Sequence, residues 1–355
     1  MKTQRVAVVI PGIMGSCLSY TDTDGRSKEI WGENFEENYE RLLSNPTLLR
    51  WNNSAANATL LEKVCPSRFV PWPKFYLWRR LLKYLGNHKE FRGKGRTVKF
   101  AYDWRESLMN VARSLRSQLD VHAPKNARFV FLTHSMGGLV VRIALALKVL
   151  QPKNVDRIIH IGSPLQGAPM AFRSAYGKAL LPMLSELTKL FHWKNADQFF
   201  KHLLDNVRTF PSIYQLMPPR RYPYLFYSPS HRSNPLDEPA IPDEFRKVAQ
   251  VAHDLIEESD KIIVRNGVKV FTIFTRTHFK RKTDLEYRVE PLGLPGSGYI
   301  IDEVVGQTDW GDGTVPFESA RGNPTCCKEN PIVNVTHAVL CDDRKVIELL
   351  PGVIL

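Results

Sequence analysis

Long hydrophobic runs are missing from this sequence. No stretch approaches the roughly 18 consecutive apolar residues that a membrane-spanning helix needs, so no span is expected. Cysteine is scarce: 5 of 355 residues, at positions 17, 65, 326, 327 and 341, with no Cys-x-x-Cys pair. That spacing excludes the common structural zinc motifs, so neither a metal site nor a cofactor is expected. An odd count of cysteines fits a reducing compartment better than a disulfide framework. The opening "MKTQRVAVVIPGIMGS" has an apolar run of only about six residues and ends in Pro-Gly without a small-residue cleavage site. It reads as a first strand rather than a leader, and the expected location is cytoplasmic. The sequons at Asn52, Asn57 and Asn334 then carry no glycan. Zinc-finger spacing and RNA-binding signatures are absent too, so nucleic acid is not an expected partner.

What is present is basic and globular. The formal net charge is +13, with 43% hydrophobic and 24% charged residues. Such a charge favours anionic surfaces, phospholipid headgroups among them, although scattered basic residues also simply solvate a surface. Six runs read as strands: "RVAVVI" (5–10), "TVKFAY" (97–102), "ARFVFLT" (127–133), "VDRIIHIG" (155–162), "VKVFTIF" (268–274) and "PIVNV" (331–335). Nearly continuous apolar character marks strands covered on both faces. Helical spacing recurs over 74–85, 107–119, 138–150 and 343–350. Alternating strands and helices predict an α/β fold: a mostly parallel sheet with helices on both faces.

Two segments break the rhythm. Residues 17–72 contain no clean strand and many Asn, Trp and Glu residues. Residues 166–264 read as a long, mainly helical insertion with a Pro- and Tyr-rich stretch, "MPPRRYPYLFYSPS". The division expected is a core of residues 1–165 and 265–355, interrupted by the 17–72 excursion, plus a cap or lid over 166–264. Such departures from a packed sheet commonly cover a site.

"VFLTHSMGGLVVRIAL" (130–145) joins a strand to a helix through Thr-His-Ser and two glycines. A strand that turns at once into a helix needs a strained apex residue and small neighbours, and this geometry lifts the apex hydroxyl above the sheet. Ser135 is the candidate nucleophile; the competing reading is an inert serine in a helix cap. Thr133 stands where the usual Gly-x-Ser-x-Gly pattern has its first glycine.

A serine needs a base to take its proton and an acid to orient that base, and in this architecture they follow in the order acid, then His. "QTDWGDGTVPFES" (307–319) offers Asp312 as the acid, with Asp309 as its rival. An Asx-turn that merely holds the loop is the alternative for Asp312. His337 is the only histidine after that loop and is the candidate base. His134 is expected to point away from the reacting face. The oxyanion donors expected are the main-chain amides of Met136 and of Ile13, the latter in "VVIPGIMGS" after the first strand.

With "YDWR" (102–105), "GSPLQGAP" (162–169) and "GDGTVP" ahead of a lone histidine, the sequence resembles the lecithin:cholesterol acyltransferase family, which includes phospholipid:diacylglycerol acyltransferases. The resemblance runs from Val6 to His337 and misses both excursions. It implies an α/β-hydrolase fold, Ser135, Asp312 and His337 as the triad, Ile13 and Met136 at the oxyanion hole, a membrane-binding subdomain over 17–72 and a mobile lid over 166–264. Secreted members of that family carry a signal peptide and disulfides, neither of which is expected here, so extracellular lipoprotein chemistry is not the expected role.

The function expected is an acyl-enzyme hydrolase or O-acyltransferase on lipid esters, with peripheral contact to an anionic membrane. A carboxylesterase or thioesterase on soluble substrates is the alternative, and a non-catalytic binding protein on a hydrolase scaffold the remote one. Phe75, Trp78, Leu82 and Leu85 recur at helical spacing as a core face, and the Trp- and Pro-rich segment before them is the better candidate for touching lipid.

Overall fold

In the computed structural model, residues 4–21, 23–52, 56–66, 74–176, 194–228, 231–238, 241–278, 282–291, 299–308 and 310–355 are described. Six strands form the central sheet: β1 (Gln4–Ile10), β2 (Thr97–Lys99), β3 (Ala127–His134), β4 (Val155–Ile161), β5 (Lys269–Thr277) and β6 (Lys328–Val333). Their spatial order is β6-β5-β4-β3-β1-β2, and every neighbouring pair is parallel. This is the α/β-hydrolase fold, with the crossover helices that parallel pairing demands.

Strand period sorts the two cores. Val6, Val8, Ile10, Phe129 and Phe131 face one side, against α1 (Leu108–His122), α2 (Gly137–Ala146) and α3 (Asp243–Asn266). Ala7, Val9, Val130 and Leu132 face the other, against the helix Arg79–Asn87 and α4 (Arg344–Ile354). Because both faces are covered, the inner strands β1, β3 and β4 lack polar alternation. Most of α3 lies within the 166–264 span, yet the helix runs on to Asn266 and packs on the core helix α2, where Arg142 Nε donates to Ser259 Oγ at 2.8 Å.

β2 stops at Lys99 instead of running on to Tyr102. The chain turns there to serve the loop after β1: the Tyr102 hydroxyl donates to the Pro11 carbonyl at 2.9 Å, and Trp104 Nε1 to the Ser16 carbonyl at 3.0 Å. The helix expected from Lys74 begins at Arg79, because Phe75 and Tyr76 pair as a short strand with Lys63 and Val64. Phe75 is exposed as a result, and the buried helical face is Trp78, Leu81 and Leu85.

The 17–72 excursion does contain strands, contrary to the sequence reading. Ser16–Thr21 pairs antiparallel with Ser27–Trp31 and with Asn57–Leu60, followed in chain order by the helix Phe35–Ser44 between the last two. These strands mix polar and apolar residues, so they lack the continuous signature of the central sheet. A second feature went unseen in the sequence: Thr283–Pro291 and Tyr299–Thr308 form an antiparallel pair, extended by Leu225–Ser228 and His231–Ser233 from the insertion.

The two excursions share a roof over the carboxyl ends of the strands. Phe35 and Tyr39 meet Phe199 of the helix Ala196–Val207, at centroid separations of 6.1 and 4.6 Å. The Trp51 amide donates to Thr209 Oγ1 at 2.8 Å. Trp104 sits between them, edge-on to Trp31 at 5.9 Å and to Phe210 at 5.6 Å. Beside it, Arg105 grips Asp103 through two bonds of 2.9 and 2.6 Å, and Asp103 also accepts from the Ala56 amide at 2.8 Å. This buried, fully bonded pair anchors the excursion to the core; breaking either half would strand a charge. Among the described residues, no helix is long and apolar enough to cross a membrane.

Candidate active site

β3 delivers Ser135 at its end, with φ of 51°. That left-handed conformation costs a non-glycine residue on the order of 1–3 kcal/mol. It persists because the neighbours leave no alternative: the Ser135 amide donates to the Ile161 carbonyl at 3.1 Å, and the Gly138 amide to the Ser135 carbonyl at 3.0 Å. A Cβ on Gly137 would lie 2.6 Å from the carbonyl oxygens of Ile10 and Pro11, so only glycine lets α2 start this close to β1. Gly12 has the same role against the serine itself, since a Cβ there would stand 2.6 Å from Ser135 Cβ.

Three distant side chains meet at this apex. His337 Nε2 lies 2.9 Å from Ser135 Oγ, and His337 Nδ1 lies 2.7 Å from Asp312 Oδ2. Asp312 is buried, and its other oxygen, Oδ1, accepts from the amides of Thr314 and Val315 at 3.0 and 2.8 Å. The Asx-turn and the acid are therefore one residue with two oxygens in two tasks. Since a carboxylate only accepts, Nδ1 carries the hydrogen toward Asp312, leaving Nε2 to accept from the Ser135 hydroxyl. The His337 amide donates to the Asp312 carbonyl at 3.1 Å, which fixes the two backbones together. This Ser135–His337–Asp312 network is that of a catalytic triad for ester hydrolysis. Asp309 lies outside the described residues.

The loop after β1 folds over the serine. The Gly15 amide closes a turn on the Gly12 carbonyl at 3.1 Å, with Met14 at φ of 57°. Among the described residues, neither the Ile13 nor the Met136 amide donates to another group.

His134 departs from expectation. Instead of pointing away, its Nε2 donates to the His337 carbonyl at 2.9 Å, and its ring lies 4.9 Å from that of His337. Burial depresses it to about 3, with the neighbouring His337 pushing the same way. It is a neutral donor across the physiological range. The Trp78 edge, 6.0 Å away, completes its surroundings. The apolar run that follows hid this, because a histidine at the end of a buried strand has no periodicity of its own.

A cavity of about 190 Å³ opens onto Ser135 and His337. Trp31, Phe35, Leu61 and Val64 of the N-terminal excursion form one wall, and Met170, Ala171, Val207, Ile213 and Leu216 of the insertion form the facing one. Both excursions thus line the site. Among the described residues, no group of three or more His, Cys, Asp or Glu side chains is placed to hold a metal ion.

A family model described as a PGAP1-like alpha/beta domain matches residues 92–212, which include Ser135 but neither Asp312 nor His337. No curated protein sequence matches significantly. Among solved structures, the crystal structure of the Tle4–Tli4 complex aligns with a TM-score of 0.55 at 13% identity, covering 98% of this chain and 97% of that one. The mature form of Bacillus licheniformis lipase BlEst2 aligns at 0.38 and 13% identity, over 100% of this chain and 92% of that one. EstA from Clostridium botulinum aligns at 0.37 and 12% identity, over 97% and 85%. At such identities the first likeness speaks for the α/β-hydrolase fold alone, and the other two scores carry no argument.

Proposed function

We propose that the chain is a lipid-ester acyl hydrolase or O-acyltransferase working through an acyl-Ser135 intermediate. The observation that carries this reading is the apolar cavity opening onto Ser135 and His337, with walls from both excursions. Ser135 Oγ attacks the ester carbonyl while His337 Nε2 takes its proton, and Asp312 steadies the imidazolium that results. The amides of Ile13 and Met136 receive the oxyanion; each such donor typically supports on the order of 10²–10³ in rate. Collapse returns the proton from His337 to the leaving alcohol. Water, or a second alcohol activated by His337, then releases the acyl group.

In this reading the 166–264 insertion acts as cap and lid, and the 17–72 excursion faces the lipid surface. The likeness of its motifs to the lecithin:cholesterol acyltransferase family and the net charge of +13 both favour an anionic membrane as the place of work. The segment proposed to touch lipid, ending at Trp72 and Pro73, lies outside the described residues.

One observation favours a second reading, an esterase on small soluble substrates. A cavity of about 190 Å³ is below the roughly 300–1,000 Å³ of sites that enclose a drug-sized ligand. It accepts part of an acyl chain, not a whole lipid. Fatty-acid release from mixed neutral and anionic phospholipid vesicles, set beside a p-nitrophenyl ester series, decides between them. Lipid turnover with kcat/KM rising along the acyl chain supports the first; turnover confined to acetate and butyrate supports the second.

A further inference from the structure

Behind the nucleophile's helix lies a second group of reactive side chains that the triad does not use. Cys326 and Cys327 follow a tight turn in which both their amides donate to the Asn323 carbonyl, at 3.1 and 2.9 Å. Their Sγ atoms are 3.7 Å apart. Arg142 Nη2 donates to Cys326 Sγ at 3.8 Å, and the Cys326 thiol stands 3.5 Å from Asp260 Oδ1. Asp260 also pairs with Arg142 and accepts from Asn323 Nδ2 at 3.0 Å. Arg142 is buried on α2, about two turns beyond Ser135. One cation, one carboxylate and two thiols are therefore held in a single bonded cluster.

The cluster divides the work between the sulfurs. The two sulfurs lie in hydrogen-bond contact, and that contact, aided by Arg142, pulls Cys327 down to about 7 against the opposing effect of burial. Cys326 moves the other way, because its proton is engaged by Cys327 and because it is partly buried. A thiolate beside a protonated partner is the arrangement of a peroxide-reactive pair. Two of the remaining three cysteines differ in kind: burial pushes Cys17 up to about 11 and Cys341 well above its ordinary value. Cys326 is the half-buried member of the pair, while Cys327 is buried.

We propose that Cys326 and Cys327 form a reversible redox site that hydroperoxides close to an intramolecular disulfide. The Cys327 thiolate attacks the terminal peroxide oxygen, an S–O bond forms as the O–O bond breaks, and the hydroxide released from hydrogen peroxide (the alkoxide from an organic hydroperoxide) is protonated to water (or to the alcohol). Cys326 sulfur then attacks the sulfenic acid: the S–S bond forms, the S–O bond breaks, and the Cys326 proton leaves with that oxygen as a second water. Sulfur gives up two electrons and the peroxide takes them. Thiol exchange with a reductant restores both thiols.

The test treats the intact chain with hydrogen peroxide, counts free thiols and maps tryptic peptides, since Arg321 and Lys328 bracket the pair in one fragment. The expected result is loss of two thiols, with the 322–328 peptide lighter by two hydrogens and restored by dithiothreitol. Cys326→Ser halts the sequence at a sulfenic acid on Cys327 that dimedone traps, and Cys327→Ser abolishes it; circular dichroism confirms that both variants fold. Overturning results are sulfinic acid at Cys327 without disulfide in the wild type, a disulfide linking two chains, or faster oxidation at Cys17, Cys65 or Cys341.

Discussion

His134 donates from Nε2 to the main-chain carbonyl of His337 at 2.9 Å, so the residue before the nucleophile holds the backbone of its base. The bond needs a neutral imidazole with a hydrogen on Nε2, and burial maintains that state. His134→Phe keeps a ring against Trp78 but cannot donate. It is expected to lower kcat by about 10- to 100-fold with KM little changed, the cost of a misplaced reacting group. His134→Gln, which retains a donor, should recover part of the loss. Steady-state kinetics on both variants checks this; equal defects would show that the bond has no positioning effect.

The carboxyl of Asp312 divides its oxygens between His337 and two loop amides. Asn at this position keeps the turn-forming oxygen but offers an amide where His337 needs an acceptor. Asp312→Asn is therefore expected to cost on the order of 10⁴ in kcat while the melting temperature falls only slightly. Asp309→Asn should stay near wild type. Reversal of that ranking would move the acid to Asp309.

The sequence was most readable where one physical cause dominated. Near-continuous apolar runs announced the buried strands β1, β3, β4 and β5, whereas the edge strand β6 starts at Lys328 rather than Pro331 and is mostly exposed; chain order alone singled out His337 after the GDGTVP loop. The Ser16–Thr21, Ser27–Trp31 and Asn57–Leu60 strands were invisible for the opposite reason, since short antiparallel strands mix polar and apolar residues. Phe75 misled because its spacing to Trp78 fits a helix, while its backbone is taken by Val64. The strand Thr283–Pro291 alternates charged and apolar residues from Asp284 to Glu290, a period-two signal overshadowed by the continuous apolar runs, while its partner Tyr299–Thr308 does not alternate. Tertiary placement of His134 has no local signature at all.

Gly12 sets the distance between the first loop and the nucleophile. A methyl there would press on Ser135 Cβ at 2.6 Å, and one of the two must shift. Gly12→Ala is expected to cut kcat/KM at least 100-fold, as both the hydroxyl and the adjoining amides lose alignment. Kinetics paired with thermal melting separates this from unfolding; a fully active variant would mean that the loop relaxes freely.

Three buried histidines link stability to pH. Burial lowers His134 to about 3, His253 to about 4 and His160 well below its ordinary value. An unfolded histidine titrates near 6.5. Between that pH and each folded value the unfolded chain binds a proton that the native chain refuses, so stability is intact above 6.5 and falls on acidification. The slope is about 1.4 kcal/mol per pH unit for each histidine. His253→Gln, able to donate to the Met217 carbonyl but not to titrate, should reduce the slope of denaturant-derived stability between pH 6.5 and 5 by one such share. An unchanged slope would remove His253 from the linkage.

The central claim is that His337 activates Ser135 for attack on an ester. Labelling with a fluorophosphonate, followed by peptide mass spectrometry and ester turnover, tests it most directly. The account predicts a single adduct on Ser135 in the wild type, severely slowed labelling in a folded His337→Ala variant, and neither adduct nor turnover in Ser135→Ala. An adduct on another residue, or a Ser135→Ala variant that still hydrolyses ester at the wild-type rate, would contradict it.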